Sequence, residues 1–142
     1  MATYNLQRFH NAQEHTYQNA FNEIRNGRKT GHWIWFVFPQ IAGLGFSEIS
    51  KHYAIQNLEE AELYLKDDIL AERLISISKL LLEIKGKTAH QIFGSPDDLK
   101  LKSSMTLFSS VKDTDPVFQK VLDYYFEGKK DVRTLEIISA SN

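Results

Sequence analysis

The chain has 142 residues, of which 42% are hydrophobic, 25% charged and 12% aromatic, and its formal net charge is −1. That length suits one domain, 1–142, and the near-neutral balance excludes a strong global field toward nucleic acid or acidic membrane. With no cysteine, disulfides, thiolate zinc sites and thiol nucleophiles are excluded.

In chain order, residues 1–8 carry no apolar run of the secretory type, and no later stretch approaches the roughly 20 apolar residues of a membrane span. The expected setting is cytoplasmic, without a membrane. From Glu14, apolar residues fall at Tyr17, Ala20, Phe21 and Ile24, the i, i+3, i+4, i+7 stripe of an amphipathic helix, and Asn26-Gly27 stops it. Next comes His32-Trp33-Ile34-Trp35-Phe36-Val37-Phe38-Pro39-Gln40, which holds both tryptophans of the chain. Both faces would be apolar in a strand, but no β-rich run of comparable quality offers a partner for its backbone. A helical turn or an extended strap between helices is therefore expected, with Pro39 forcing Phe38 to be extended.

A short helix over 47–54 should turn Ile49 and Tyr53 inward. Asn57 and Glu60 form a cap-and-acid pair ahead of Leu58, Ala61 and Leu65. The strongest stripe, Leu70, Leu74, Ile77, Leu81 and Ile84, predicts a central helix ended by Lys85-Gly86-Lys87. Thr88 and Gln91 make a second capping-box pattern before Ile92 and Phe93. Ser95-Pro96-Asp97-Asp98 reads as an N-cap, a proline at the first helical position and first-turn acids, opening a helix through Leu101, Met105 and Phe108. Asp115-Pro116 repeats the device before Phe118, Val121, Leu122 and Tyr125, and Gly128 ends that helix. A last helix carries Val132, Leu135 and Ile138. The pattern predicts an all-α, single multi-helix domain with an aromatic strap.

No diagnostic catalytic signature is present, so the sequence leaves open whether the protein is an enzyme. Ser103-Ser104 and Ser109-Ser110 lack the G-x-S-x-G elbow of a hydrolase. None of the five histidines shows metal-ligand spacing, and neither a metal nor a cofactor is expected. His32 joins the basic loop to the tryptophans and could donate to a phosphate or carboxylate, or cap a helix. Lys100, Ser103 and Ser104 share one helical face near a helix N-terminus, which reads either as an anion cradle or as a solvated lysine over small packing residues. Arg25, Arg28 and Lys29, spaced by Gly27 and Gly31, could form a phosphate loop or a solvated charge run. Three cations are few for duplex nucleic acid, which is disfavoured as a partner. The tryptophans could stack a base or belong to the core.

Two blocks carry a family resemblance. One is Gly27-Arg28-Lys29 with the 32–40 segment and Gly43-Leu44-Gly45. The other is Ile92-Phe93-Gly94-Ser95-Pro96-Asp97-Asp98-Leu99-Lys100-Leu101-Lys102-Ser103-Ser104-Met105-Thr106-Leu107-Phe108. Together they resemble the domain of unknown function 1810 family over about residues 6–135. Ile34 stands where that family often has methionine, a volume-conserving change. The resemblance implies a mainly α-helical fold and supplies no activity. The calpastatin label attached to some members carries no weight here, because calpastatin inhibits through disordered repeats. A shorter likeness, Glu14-His15-Thr16-Tyr17-Gln18-Asn19-Ala20, is similar to a helix of the NADAR proteins, which act on N-glycosidic bonds of ADP-ribosylated compounds. It implies Glu14 as a catalytic acid/base candidate, with the tryptophans against a base or ribose.

The expected function is binding of an anionic nucleotide-like or phosphorylated small molecule, with N-glycoside hydrolysis as the chemistry if the protein is enzymatic. The candidate binding residues are Arg28, Lys29, His32, Trp33, Trp35, Gln40, Lys100, Ser103 and Ser104. The alternative is a protein-interaction module using an exposed aromatic patch. Nothing in the sequence specifies an oligomeric state.

Overall fold

Ten helices run through residues 3–140, the part of the chain described by the computed structural model. They are α1 (Gln7–Glu14), α2 (Tyr17–Arg25), α3 (Ile34–Val37), α4 (Glu48–Tyr53), α5 (Leu58–Lys66), α6 (Asp68–Glu83), α7 (Ala89–Phe93), α8 (Asp97–Ser109), α9 (Val117–Phe126) and α10 (Val132–Ala140). The fold is all-α.

Helix α8 lies at the centre. Leu101, Ser103, Ser104, Met105, Thr106, Leu107 and Phe108 are all buried, so the helix is enclosed around most of its circumference. Around it pack α9, α7, α10, α5 and α3. A second layer forms where α6 meets α9, α2 and α5. The α6 stripe is inward as its spacing requires, with Leu70, Leu74, Ile77 and Leu81 at most 1% exposed. Leu70 is reached through a strong start signal, because Asp67 accepts from the Ile69 and Leu70 N–H groups.

The Thr88–Gln91 capping box forms in full: the Gln91 N–H donates to Thr88 Oγ1 at 3.1 Å and the Thr88 N–H to Gln91 Oε1 at 2.8 Å. Asn57 likewise caps α5 by accepting from the Glu60 N–H at 3.0 Å. At the start of α9, Asp115 accepts from the Val117 N–H at 2.8 Å.

Four sequence expectations need correction. Ser95 does not cap α8. Pro96 takes the N-cap position without a side-chain bond, and Asp98 accepts from the Leu99 N–H instead. Ile49 points outward, 39% exposed, because no residue of the short α4 is buried. Val132 and Leu135 also face solvent, while Thr134 and Ile138 turn inward. Finally, α1 precedes the predicted first helix and brings Phe9 into the core at 0% exposure.

The aromatic strap takes the helical-turn form. Residues Ile34–Val37 make one turn, and Phe38 leaves it at φ −124° and ψ 75° ahead of Pro39. The chain then finds a backbone partner that the sequence did not reveal. Ile41 bridges Ile55 in parallel, with Ala42 N–H donating to Ile55 O and Ile55 N–H to Gln40 O, both at 2.8 Å. That bridge pins both ends of an excursion over 43–54 that carries α4.

Candidate functional site

The two tryptophans part company. Trp33 is core, 1% exposed, with Phe38 and Phe93 rings 6.2 and 6.4 Å from its own. Its indole N–H donates to Glu23 Oε1 at 2.9 Å, the same oxygen that accepts from the N–H groups of Thr30 (2.7 Å) and Gly31 (2.8 Å). Burial works to raise the Glu23 carboxyl, but the donors from Gly31, Thr30 and Trp33 outweigh it and hold the group below the usual carboxylate range. A Cβ on Gly31 would stand 2.9 Å from the Trp33 ring, so the turn needs glycine there. On the far side of the strap, the buried Gln13 amide donates to Phe36 O at 2.6 Å and fixes α3 from α1.

Trp35 is only half-buried and forms one wall of a cleft of about 230 Å³. Gln40, Lys51, Tyr53 and Gln56 supply its polar lining, and Gly43 and Gly45 its thin edge. The Trp35 indole nitrogen is shielded from solvent yet has no hydrogen-bond partner among the described residues. Such an orphan donor costs about 1–3 kcal/mol and calls for an explanation.

Here the two sequence blocks meet. Lys100 Nζ lies 4.9 Å from the Trp35 ring centroid, a cation–π contact. Asp97 stands between this ammonium and the other block, 3.5 Å from Lys100 and 2.7 Å from Lys29 Nζ. Lys29 in turn lies 5.0 Å from the Trp33 ring. The result is a partly buried line, Lys29–Asp97–Lys100–Trp35, in which two ammonium groups share one carboxylate. Asp97 therefore acts across the tertiary structure as well as on its own helix start.

Arg28 sits on the other side of that line. Together with Lys29, His90, Gln91, Phe93 and Gly94 it lines a separate, open cleft of about 360 Å³. The remaining predicted residues fall elsewhere. His32 is exposed, lines neither cleft, and its ring has no partner among the described residues. Ser103 and Ser104 are buried packing residues of α8. Ser103 Oγ donates to Leu99 O at 3.1 Å, and Ser104 Oγ is enclosed without a partner among the described residues. Glu14 is the exposed last residue of α1, and the motif that contains it straddles the α1–α2 break.

Residues that sequence spacing could not find complete the first cleft. Lys51, Tyr53 and Gln56 arrive through the Ile41–Ile55 bridge, which is a long-range pairing. The outer wall is anchored by Arg8, whose guanidinium donates to the carbonyls of His52 (2.9 Å) and Ala54 (2.8 Å) and pairs with the fully buried Glu60 at 2.9 Å. Tyr53 packs on Phe36 and Phe9, with ring separations of 5.2 and 6.1 Å.

The pattern that defines a family of proteins of unknown function, DUF1810, matches residues 3–138 of the chain. No functionally curated protein matches it. Among solved structures, it is similar to the crystal structure of the conserved hypothetical protein Rv1873 from Mycobacterium tuberculosis. The two sequences are 46% identical, the TM-score is 0.92, and the match covers 94% of this chain and 96% of that one.

Proposed function

The chain belongs to the DUF1810 family, and from that premise we propose that it binds a small anionic, nucleotide-like molecule in the Trp35 cleft. One observation carries this reading: both distinctive sequence blocks converge on Trp35, whose indole carries the Lys100 ammonium against its ring and walls a concave space lined by the unengaged Gln40 amide and Lys51 ammonium. That mixture of an aromatic face with few polar groups is what small-molecule sites use for affinity and orientation. The Gln40 side chain and the Lys51 ammonium have no partner within the described residues and lie on the lining. The base or ribose of the ligand would lie against Trp35, and its anionic group would face the Lys51 ammonium.

Size narrows the ligand. A cleft of about 230 Å³ lies below the roughly 300–1,000 Å³ of drug-sized sites, so a mononucleotide or smaller fits better than a dinucleotide. Chemistry narrows the activity. No carboxylate belongs to the lining, and Glu14, the acid/base candidate that the NADAR likeness implies, lies outside it. Binding is therefore the reading the geometry supports best.

The test is a titration with nucleoside monophosphates, ADP-ribose and small carboxylates, read by melting temperature and tryptophan fluorescence. Expected is a saturable rise in Tm with one anionic class, accompanied by a change in the Trp35 emission. Ligand at a hundred times Kd adds about 2.7 kcal/mol to stability, a readily measured shift. Gln40→Ala and Lys100→Ala should abolish the response, and His32→Ala should leave it intact. Absence of both responses across the panel overturns the reading. The exposure of Phe46 (84%) and Ile49 (39%) beside the cleft favours a second reading, an apolar docking surface for a protein. It predicts no small-molecule response and loss of partner binding in Phe46→Ser.

A further inference from the structure

We infer that the cleft between the 28–29 loop and α7 is a second site, built for a phosphate group, with Arg28 as its principal ligand. The inference rests on how the local cations are engaged. Lys29 is paired with Asp97 at 2.7 Å, and Lys87 Nζ donates to Gly27 O at 3.0 Å. The Arg28 guanidinium makes no hydrogen bond or ion pair with any described residue, although it lines a cleft of about 360 Å³. Its fork of donors is thus unspent, and that planar fork matches two oxygens of a phosphate at once.

The backbone beneath Arg28 is fixed on both sides. Gly27 holds φ +81°, a conformation that side chains rarely adopt, and its carbonyl is gripped by Lys87. The Arg28 N–H donates to Glu23 O at 3.1 Å, and the Lys29 N–H to Ile92 O at 2.7 Å. The loop is thereby stitched to α2 and α7, which reduces the ordering cost that an anion would otherwise impose.

Further donors face the same space. Gln91 uses its oxygen in the α7 capping box, leaving its amide nitrogen without a partner. His90 directs Nδ1 toward Asp98 at 3.5 Å, and its Nε2 is unengaged. A guanidinium fork, an amide and an imidazole present donors from several elements, which the tetrahedrally disposed oxygens of a phosphate can meet more readily than the coplanar pair of a carboxylate. The carboxylates nearby are Glu23, Asp97 and Asp98, and Glu23 is taken up by the N–H groups of Thr30, Gly31 and Trp33. Asp97 is shared by Lys29 and Lys100, and Asp98 accepts from the Leu99 N–H at 2.9 Å.

This site is independent of the Trp35 cleft, and the experiment separates them. Inorganic phosphate is titrated at constant ionic strength against 15N-labelled protein, following the Arg28 side-chain N–H and the amides of Gln91 and Gly94. Expected are saturable shifts with phosphate that chloride does not produce. Arg28→Gln should weaken binding at least tenfold with Tm unchanged, since the side chain holds nothing in the fold, and Arg28→Lys should restore it only in part. A glycerol phosphate arm identifies the source: tighter binding of the ester points to a phosphorylated metabolite, equal binding to free phosphate. Gln40→Ala should leave these shifts in place while removing any response at Trp35. Equal shifts in chloride, or wild-type affinity in Arg28→Gln, overturn the inference.

Discussion

A single carboxylate oxygen of Glu23 accepts three N–H donors, two from the backbone of the 30–31 turn and one from the Trp33 indole. That arrangement ties the basic loop to the aromatic segment and explains why Trp33 is core rather than pocket. Glu23→Gln replaces a charged acceptor by a neutral one, and the loss should be about 1–2 kcal/mol, since hydrogen bonds to charged groups are worth more than neutral ones and this one is partly screened by solvent. The sign with pH follows from the direction of the shift. A carboxyl held below its ordinary value of 4.5 contributes stability above that value and loses it as pH falls through the lower folded value. Urea titrations of wild type and Glu23→Gln between pH 7 and pH 3 should therefore converge toward the acid end. None of this is legible in sequence, because the partners of Glu23 come from residues seven to ten positions further on.

At the scale of elements, start signals were the most legible feature, because a capping side chain and the N–H that donates to it lie within four residues of each other. The caps at Asn57 and Thr88 formed as spaced. The cap at Ser95 did not, since the Asp98 N–H that it would accept from donates to Gly94 O at 2.9 Å. What spacing could not show is how elements are fastened together. The buried Arg8–Glu60 pair joins α1 to α5 and also holds the carbonyls of His52 and Ala54, so it sets the outer wall of the Trp35 cleft. Removing the cation leaves a fully buried carboxylate unpaired. Arg8→Ala should cost about 3–5 kcal/mol in chemical denaturation. Arg8→Lys should recover only part of that, because an ammonium cannot reproduce the fork.

At the scale of the whole molecule, α6 is laced to its neighbours by phenols. Tyr17 on α2 donates to Arg73 O at 2.7 Å, and on α9 Tyr124 donates to Ile84 O at 2.7 Å and Tyr125 to Leu81 O. Burial pushes the Tyr17 and Tyr125 hydroxyls up to about 12, the charge of Arg73 partly offsetting it at Tyr17. A raised folded value means that their contribution is complete below pH 10 and is lost as pH rises toward 12. Unfolding free energy should fall across that window with a slope of up to about 1.4 kcal/mol per pH unit for each phenol, and Tyr17→Phe should remove one such contribution. The sequence by itself determined the all-α class, the stripe of α6 and the family, because helical periodicity and caps are encoded over a few residues. It also singled out the two blocks that matter. Only the tertiary structure decided that Trp33 fills the core while Trp35 walls a cleft, that Lys100 stacks on Trp35, and that Arg28 lines a second cleft. Those assignments depend on which residues, tens of positions apart, come within a few ångströms of each other, and no local pattern records that.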